Sequence, residues 1–179
     1  SSKKVNDGIV LYGIDAERSA KVTNLSENIV SGKYSLDSLP DAMGELRPAV
    51  ILGVSLANRL RVLVGDKIII QTFQSTESAL SSGGPKILSC VVSGIFETGM
   101  YEYDGNIAYI GIPEAQKLLS MGDAVSGIQF RVKDQWKAED GVSRAGSVVG
   151  YPYYFIDWKT KNVTLLKWMN YEKFIVAAI

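Results

Sequence analysis

"VILGVSLANRLRVLVGDKIIIQTF", residues 50–73, changes its apolar period twice, and that change decides how the chain is read. It opens on an apolar run of strand length. Leu56 and Leu60 then share one face of a short helix, and Gly65-Asp66 makes a tight turn before the β-branched run Ile68 to Ile70. Strand, helix, turn and strand in so short a space predict a small mixed unit. Downstream, "QSTESALSSGGPK", residues 74–86, holds small and polar residues with little to bury, so it is expected to project as a mobile loop. The strand "ILSCVVSGIF", an acidic stretch and the strand "NIAYIGI" follow. Pro113 then suits the first turn of the helix "PEAQKLLSM".

Working outward, the last third reads as strand, helix, strand. "GIQFRVKD" (127–134) is a strand, Ala138, Val142, Ala145 and Val149 step along one helix face, and Tyr153 to Trp158 is a second strand-like run. That order suggests a right-handed parallel crossover. The early strand "GIVLYGID" is free to join the same sheet, which would make residues from about Val50 to Met121 an insertion. Between them, Val22, Leu25 and Ile29 recur at helical spacing, with Gly32 as a stop. The turn-rich "SLDSLPDAMGELRP" marks the boundary.

Composition removes whole classes of function. The 179 residues, 46% hydrophobic, suffice for one domain or two small subdomains. Lys plus Arg balances Asp plus Glu at 19 each, so the basic field that dominates phosphate-backbone binding is missing and nucleic acid is not an expected partner. There is no histidine, hence no imidazole base, no imidazole metal ligand and no Ser-His-Asp triad. A single cysteine, Cys90, can close neither an internal disulfide nor a four-ligand zinc site, and its apolar neighbours give it a core role. No metal and no cofactor are expected.

Three carboxylates, Glu97, Glu102 and Asp104, lie within a few positions. An acid and base pair would need them about a cleft with one group buried. The sequence gives no sign of burial, and "EYDGN" reads as a turn with Asp-Gly at its apex. A carboxylate-dependent hydrolase is thus the catalytic alternative, and the Ca²⁺ loop pattern is absent. "VGDK" lacks both the P-loop and the dinucleotide spacing. "LLKWMNYEKFIVAAI" at the end fits an amphipathic interface helix, with Trp168 and Tyr171 at headgroup level and Lys167 and Lys173 snorkelling, or an ordinary packed terminal helix. Apolar density rises towards Ile179, as if a longer hydrophobic segment began there, so the chain reads as a piece of something larger.

In this order, "GIDAERSAKVTNLSENIVSG", "VILGVSLANRLRVLVGDKIII", "VSGIFETGMYEYDGNIAYIGIPEAQKLLSMGDAVSGIQFRV" and "GYPYYFIDW" resemble the extracytoplasmic domain of lipoprotein-releasing ABC transporter permeases of the LolC/LolE type. The same fold occurs in MacB-like permeases, and the likeness runs from about Gly13 to Phe174. It implies an α+β MacB-like periplasmic domain. A Porter-like α/β subdomain would be built from residues 1–48 and 123–179, with a mostly β, Sabre-like subdomain inserted at 49–122. The Porter-like part is expected to be incomplete, since the family carries a further strand and helix before the "GID" turn.

The resemblance also implies a mechanical, non-catalytic job in the periplasm. The domain would belong to an inner-membrane protein, held there by flanking helices. Its partners would be a sister permease subunit, a cytoplasmic ATPase subunit, the lipoprotein substrate and the periplasmic carrier LolA. In LolC-like subunits a projecting hook binds that carrier, and the matching loop here contains Ser78, Ala79, Leu80, Gly83, Gly84 and Pro85. This loop departs from a LolC hook in having one proline and few apolar anchors, which keeps open a LolE-like role in contacting the lipoprotein. Trp158, Leu165, Trp168 and Tyr171 are the expected coupling residues towards the membrane helix, with Trp158 and Tyr153 anchoring the last strand. The alternative within the fold is a MacB-like coupling domain that binds a periplasmic adaptor.

Overall fold

A computed structural model describes residues 7–72 and 85–164. They fall into two compact units divided between Gln129 and Phe130. The first unit is a six-stranded mixed sheet with helices. Its elements are β1 (Val10–Ile14), α1 (Ala16–Val22), β2 (Ile29–Gly32), β3 (Leu39–Pro40), β4 (Leu46–Arg47), β5 (Ala49–Gly53), α2 (Val54–Leu60), β6 (Lys67–Gln71), β7 (Ile87–Phe96), α3 (Tyr101–Asn106), β8 (Ile107–Gly111) and α4 (Ile112–Leu119). The sheet runs β1-β8-β5-β7-β2, with β6 also on β7. β1 is parallel to β8 and β5 to β7, whereas β8 lies antiparallel to β5, and β2 and β6 antiparallel to β7. β3 and β4 form a separate two-stranded hairpin.

All five residues of β5 are buried, as a central strand covered on both faces requires. Its alternation divides the core. Val50 and Leu52 join Leu56, Cys90, Val92, Ile110 and Leu118 on one face, while Ile51 joins Leu25, Phe96 and Ile107 on the other. Each such apolar side chain contributes about 1.5–3 kcal/mol by leaving water. Gly53 ends β5 because nothing larger fits: a Cβ there would lie 2.2 Å from the backbone oxygen of Asp104.

Four expectations give way here. The helix expected to run on from Val22 through Ile29 stops at Val22, where the Thr23 N–H bonds back to the Ser19 carbonyl. Ile29 to Gly32 is instead a strand on β7, because the β-branched Ile29 gains more from its place opposite Phe96 at the end of β7. "EYDGN" is not a turn but lies in helix α3, started by the Tyr103 and Asp104 N–H groups bonding to the Met100 carbonyl. The strand near the start, expected to join a sheet with the last third, is instead hydrogen-bonded to β8 and lies in one sheet with β5. The fourth concerns the last third, where 127–134 and 153–157 carry no strand: a ladder needs a hydrogen-bonded neighbour, and none exists among the described residues.

The second unit centres on α5 (Ala138–Val149), at the bounds that its apolar stepping predicts, and the short α6 (Trp158–Lys161). The 3₁₀ turn Gln135–Lys137 precedes α5 and is capped by Asp134, whose carboxylate accepts from the Trp136 N–H at 2.9 Å. Asp157 caps α6 through the Thr160 N–H at 2.6 Å. That contact and the other local amide groups hold its carboxyl below the ordinary value.

Candidate functional site

β6 and β7 form a hairpin in regular register from Lys67 opposite Val91 to Gln71 opposite Ile87. It continues past Gln71. The Thr72 N–H donates to the Lys86 carbonyl at 3.1 Å, and the Lys86 N–H donates to the Thr72 hydroxyl at 3.3 Å. The Lys86 ammonium donates to the Lys117 carbonyl at 3.2 Å and to the Ser120 hydroxyl. A cation at the carbonyl end of α4 is favoured by the helix dipole, so the root of the loop is tied to that helix. Pro85 is exposed at this root. Ser78, Ala79, Leu80, Gly83 and Gly84 lie outside the described residues. An open depression beside the root is lined by Pro113, Gln116, Lys117, Ser120, Gly122 and Asp123.

Of the expected coupling residues, Trp158 is described, while Leu165, Trp168 and Tyr171 lie outside the described residues. Trp158 anchors no strand. Its ring packs edge-on against Trp136 at 5.6 Å, its Nε1–H donates to the Gln135 carbonyl at 2.7 Å, and Lys159 lies over the Trp136 ring. Tyr153 is exposed, not part of a packed sheet. Phe155 packs towards α5, near Gly146, and its neighbours Tyr154 and Ile156 face solvent.

The three carboxylates of the acidic stretch do not converge as an acid and base pair. Glu97 and Glu102 are exposed, and Asp104 is buried and fully engaged. It accepts from the Thr98 N–H and the Thr98 hydroxyl, both at 2.8 Å, and from the Gly99 N–H at 3.1 Å. Its task is to fold the 97–100 loop back onto α3. Among the described residues no group of three or more His, Cys, Asp or Glu side chains is placed to hold a metal ion.

Asp41 is the second buried acid, and sequence reasoning missed its role. It accepts from the Met43 and Glu45 N–H groups at 2.9 and 3.1 Å, is bridged by Arg47, and faces the Lys67 ammonium at 3.8 Å. The Met43 amide is the main cause of a carboxyl pKa held below its ordinary value. The signal was the turn pattern "PDAMGE", in which an aspartate two residues before an amide closes on its own backbone. Cys90 is fully buried on the α2 face, and desolvation pushes its thiol up to about 12.

No family model matches the chain. Curated relatives do. It is 30% identical over 170 residues to the lipoprotein-releasing system transmembrane protein LolC of Xylella fastidiosa strain Temecula1, covering 95% of this chain and 39% of that protein. To the protein of the same name in Xylella fastidiosa strain 9a5c it is 29% identical over the same shares. The Neisseria meningitidis protein of that name is 30% identical over 133 residues, 73% of this chain and 30% of that protein. The chain thus spans about two fifths of the length of the first two relatives.

Proposed function

We propose that this chain, which is related over almost its whole length to LolC-type lipoprotein-releasing permeases, works as the periplasmic domain of such a permease. In that role it helps to move lipoproteins out of the inner membrane towards a periplasmic carrier. The observation that carries the reading is the alignment over 95% of this chain with proteins whose names state lipoprotein release. Two structural facts support it. No helix among the described residues is long and apolar enough to cross a membrane, and the buried carboxylates are engaged in holding turns rather than grouped about a cleft. The MacB-like alternative is not favoured, because the relatives bear the lipoprotein-releasing name.

On this reading the domain is mechanical and non-catalytic, and ATP is hydrolysed by a separate cytoplasmic subunit. The loop that holds Ser78, Ala79, Leu80, Gly83, Gly84 and Pro85 is the partner-binding element, for the carrier or the lipoprotein. Its root is stiffened by the Lys86 contacts with α4, which would let a load on the loop reach the sheet. Motion from the membrane would enter near Trp158 and the residues Leu165, Trp168 and Tyr171.

Depleting the full-length protein in cells tests the function directly. The account predicts that lipoproteins accumulate in the inner membrane and that release returns when the protein is resupplied. Normal lipoprotein sorting after depletion would overturn it.

A further inference from the structure

The second unit contains a joint that burial does not explain. Trp136 is 63% exposed, yet its N–H, its carbonyl and its ring are all engaged. The N–H donates to the Asp134 carboxylate at 2.9 Å, and the carbonyl accepts from the Lys159 ammonium at 3.1 Å. The ring meets that of Trp158 edge-on at 5.6 Å, and the same ammonium lies over it, 5.7 Å from its centre. One residue earlier, the Gln135 carbonyl accepts from two donors, the Ala138 N–H and, at 2.7 Å, the Trp158 Nε1–H. Ala138 begins α5 and is the residue of that helix that is buried.

These contacts are directional. Both side-chain donors, Trp158 and Lys159, come from α6, and both acceptors are adjacent main-chain carbonyls of the turn in front of α5. Displacing α6 therefore loads the backbone at the N-terminus of α5, not side chains along its length. Each of the two joined segments is fixed by its own capping carboxylate, Asp134 for the turn and Asp157 for α6. A cation over an indole and an edge-on aromatic pair add geometry that plain apolar contact lacks. The chain runs on from α6 to Leu165, Trp168 and Tyr171.

We propose that Trp136 and Lys159, together with Trp158, form a clamp that holds α6 on the start of α5 and hands movement of the segment from Leu165 onwards to that helix. The proposal rests on the function put forward above, under which motion enters the domain from the membrane side. Trp136 and Lys159 are positioning residues in this scheme and act through Trp158 and the turn Gln135–Lys137.

The test uses the intact transporter with the full-length protein, reconstituted in vesicles with a lipoprotein and ATP, and measures lipoprotein released per ATP hydrolysed. Lys159→Met keeps the aliphatic stem but removes the donor and the cation, whereas Lys159→Arg keeps both. The clamp predicts that the ratio falls about fivefold in Lys159→Met and in Trp136→Ala. It returns in Lys159→Arg and is unchanged in Val148→Ala, at an exposed position on α5. The double variant Trp136→Ala with Lys159→Met should lose no more than the worse single variant, because contacts that act as one unit are not additive. Should Trp136→Ala fail to assemble, Lys159→Met decides alone. An unchanged ratio in Lys159→Met, including one in which release and ATP hydrolysis fall together as loss of folded protein would make them, would overturn the clamp while leaving the function standing. An unaltered transporter that releases no lipoprotein would overturn the underlying function, and this proposal with it.

Discussion

Replacing Asp104 with alanine should destabilise the first unit strongly, although this acid lies in the stretch that looks most like an active site. Its buried carboxylate accepts three hydrogen bonds from Thr98 and Gly99. Hydrogen bonds to a charged group are worth about 1.5–3 kcal/mol each, but Thr98 and Gly99 are exposed and their N–H groups can turn to water once the acceptor is gone. About 1 kcal/mol per bond is therefore the better measure, giving about 3 kcal/mol in all. For a chain of this size that corresponds to a melting temperature lower by about 6–12 °C. Urea unfolding followed by circular dichroism reads the change as a lower midpoint at constant m. Glu97→Gln and Glu102→Gln, at exposed positions, should stay within about 0.5 kcal/mol of the unaltered protein. If Asp104→Ala were as stable as the unaltered chain, or Glu102→Gln as costly, the carboxylate would not be the brace described here.

Gly53→Ala should cost about 2–3 kcal/mol or more, because the new methyl meets backbone atoms of Asp104 that cannot swing aside; thermal unfolding checks it. Cys90 should resist a thiol reagent at pH 8 in the folded protein and react quickly in denaturant, since burial holds the thiol near 12; comparable rates in both would contradict its place in the core. Asp41 has a folded pKa below its unfolded value, so the stability it supplies is complete above about pH 4 and is lost as pH falls through the lower folded value. Asp41→Asn should accordingly flatten that acid-side decline, as read from unfolding midpoints between pH 5 and pH 2.

The parts of the fold legible in the sequence were those whose periodicity and burial agree. β5, α2 and β6 follow from the run at 50–73, and α5 follows from Ala138, Val142, Ala145 and Val149. Ile29 was misread because three apolar residues at helical spacing also fit a helix, turn and strand, and only the place beside β7 decides between them. The segments at 127–134 and 153–157 have the alternation of strands, as Ile128, Phe130 and Val132 show, yet side-chain pattern cannot supply the neighbour that makes a ladder. The acidic stretch hid its meaning for a related reason. Charge alone does not tell an exposed Glu102 from a buried Asp104, and the difference lies in the Thr98 and Gly99 amides that fold back on it.

The names of the relatives state lipoprotein release; carrier binding and lipoprotein contact are the two roles proposed for the 74–86 loop. Lys86 adds a physical element to either role. Its ammonium ties the loop root to the Lys117 carbonyl and the Ser120 hydroxyl at the end of α4.

The most direct test places a photocrosslinker in turn at Ser78, Leu80 and Gly83 of the full-length protein, in the intact transporter with carrier and lipoprotein both present. The account predicts crosslinks to the carrier, or to the lipoprotein if the subunit plays the LolE-like part. No crosslink to either, while release of lipoprotein proceeds at its normal rate, would contradict it.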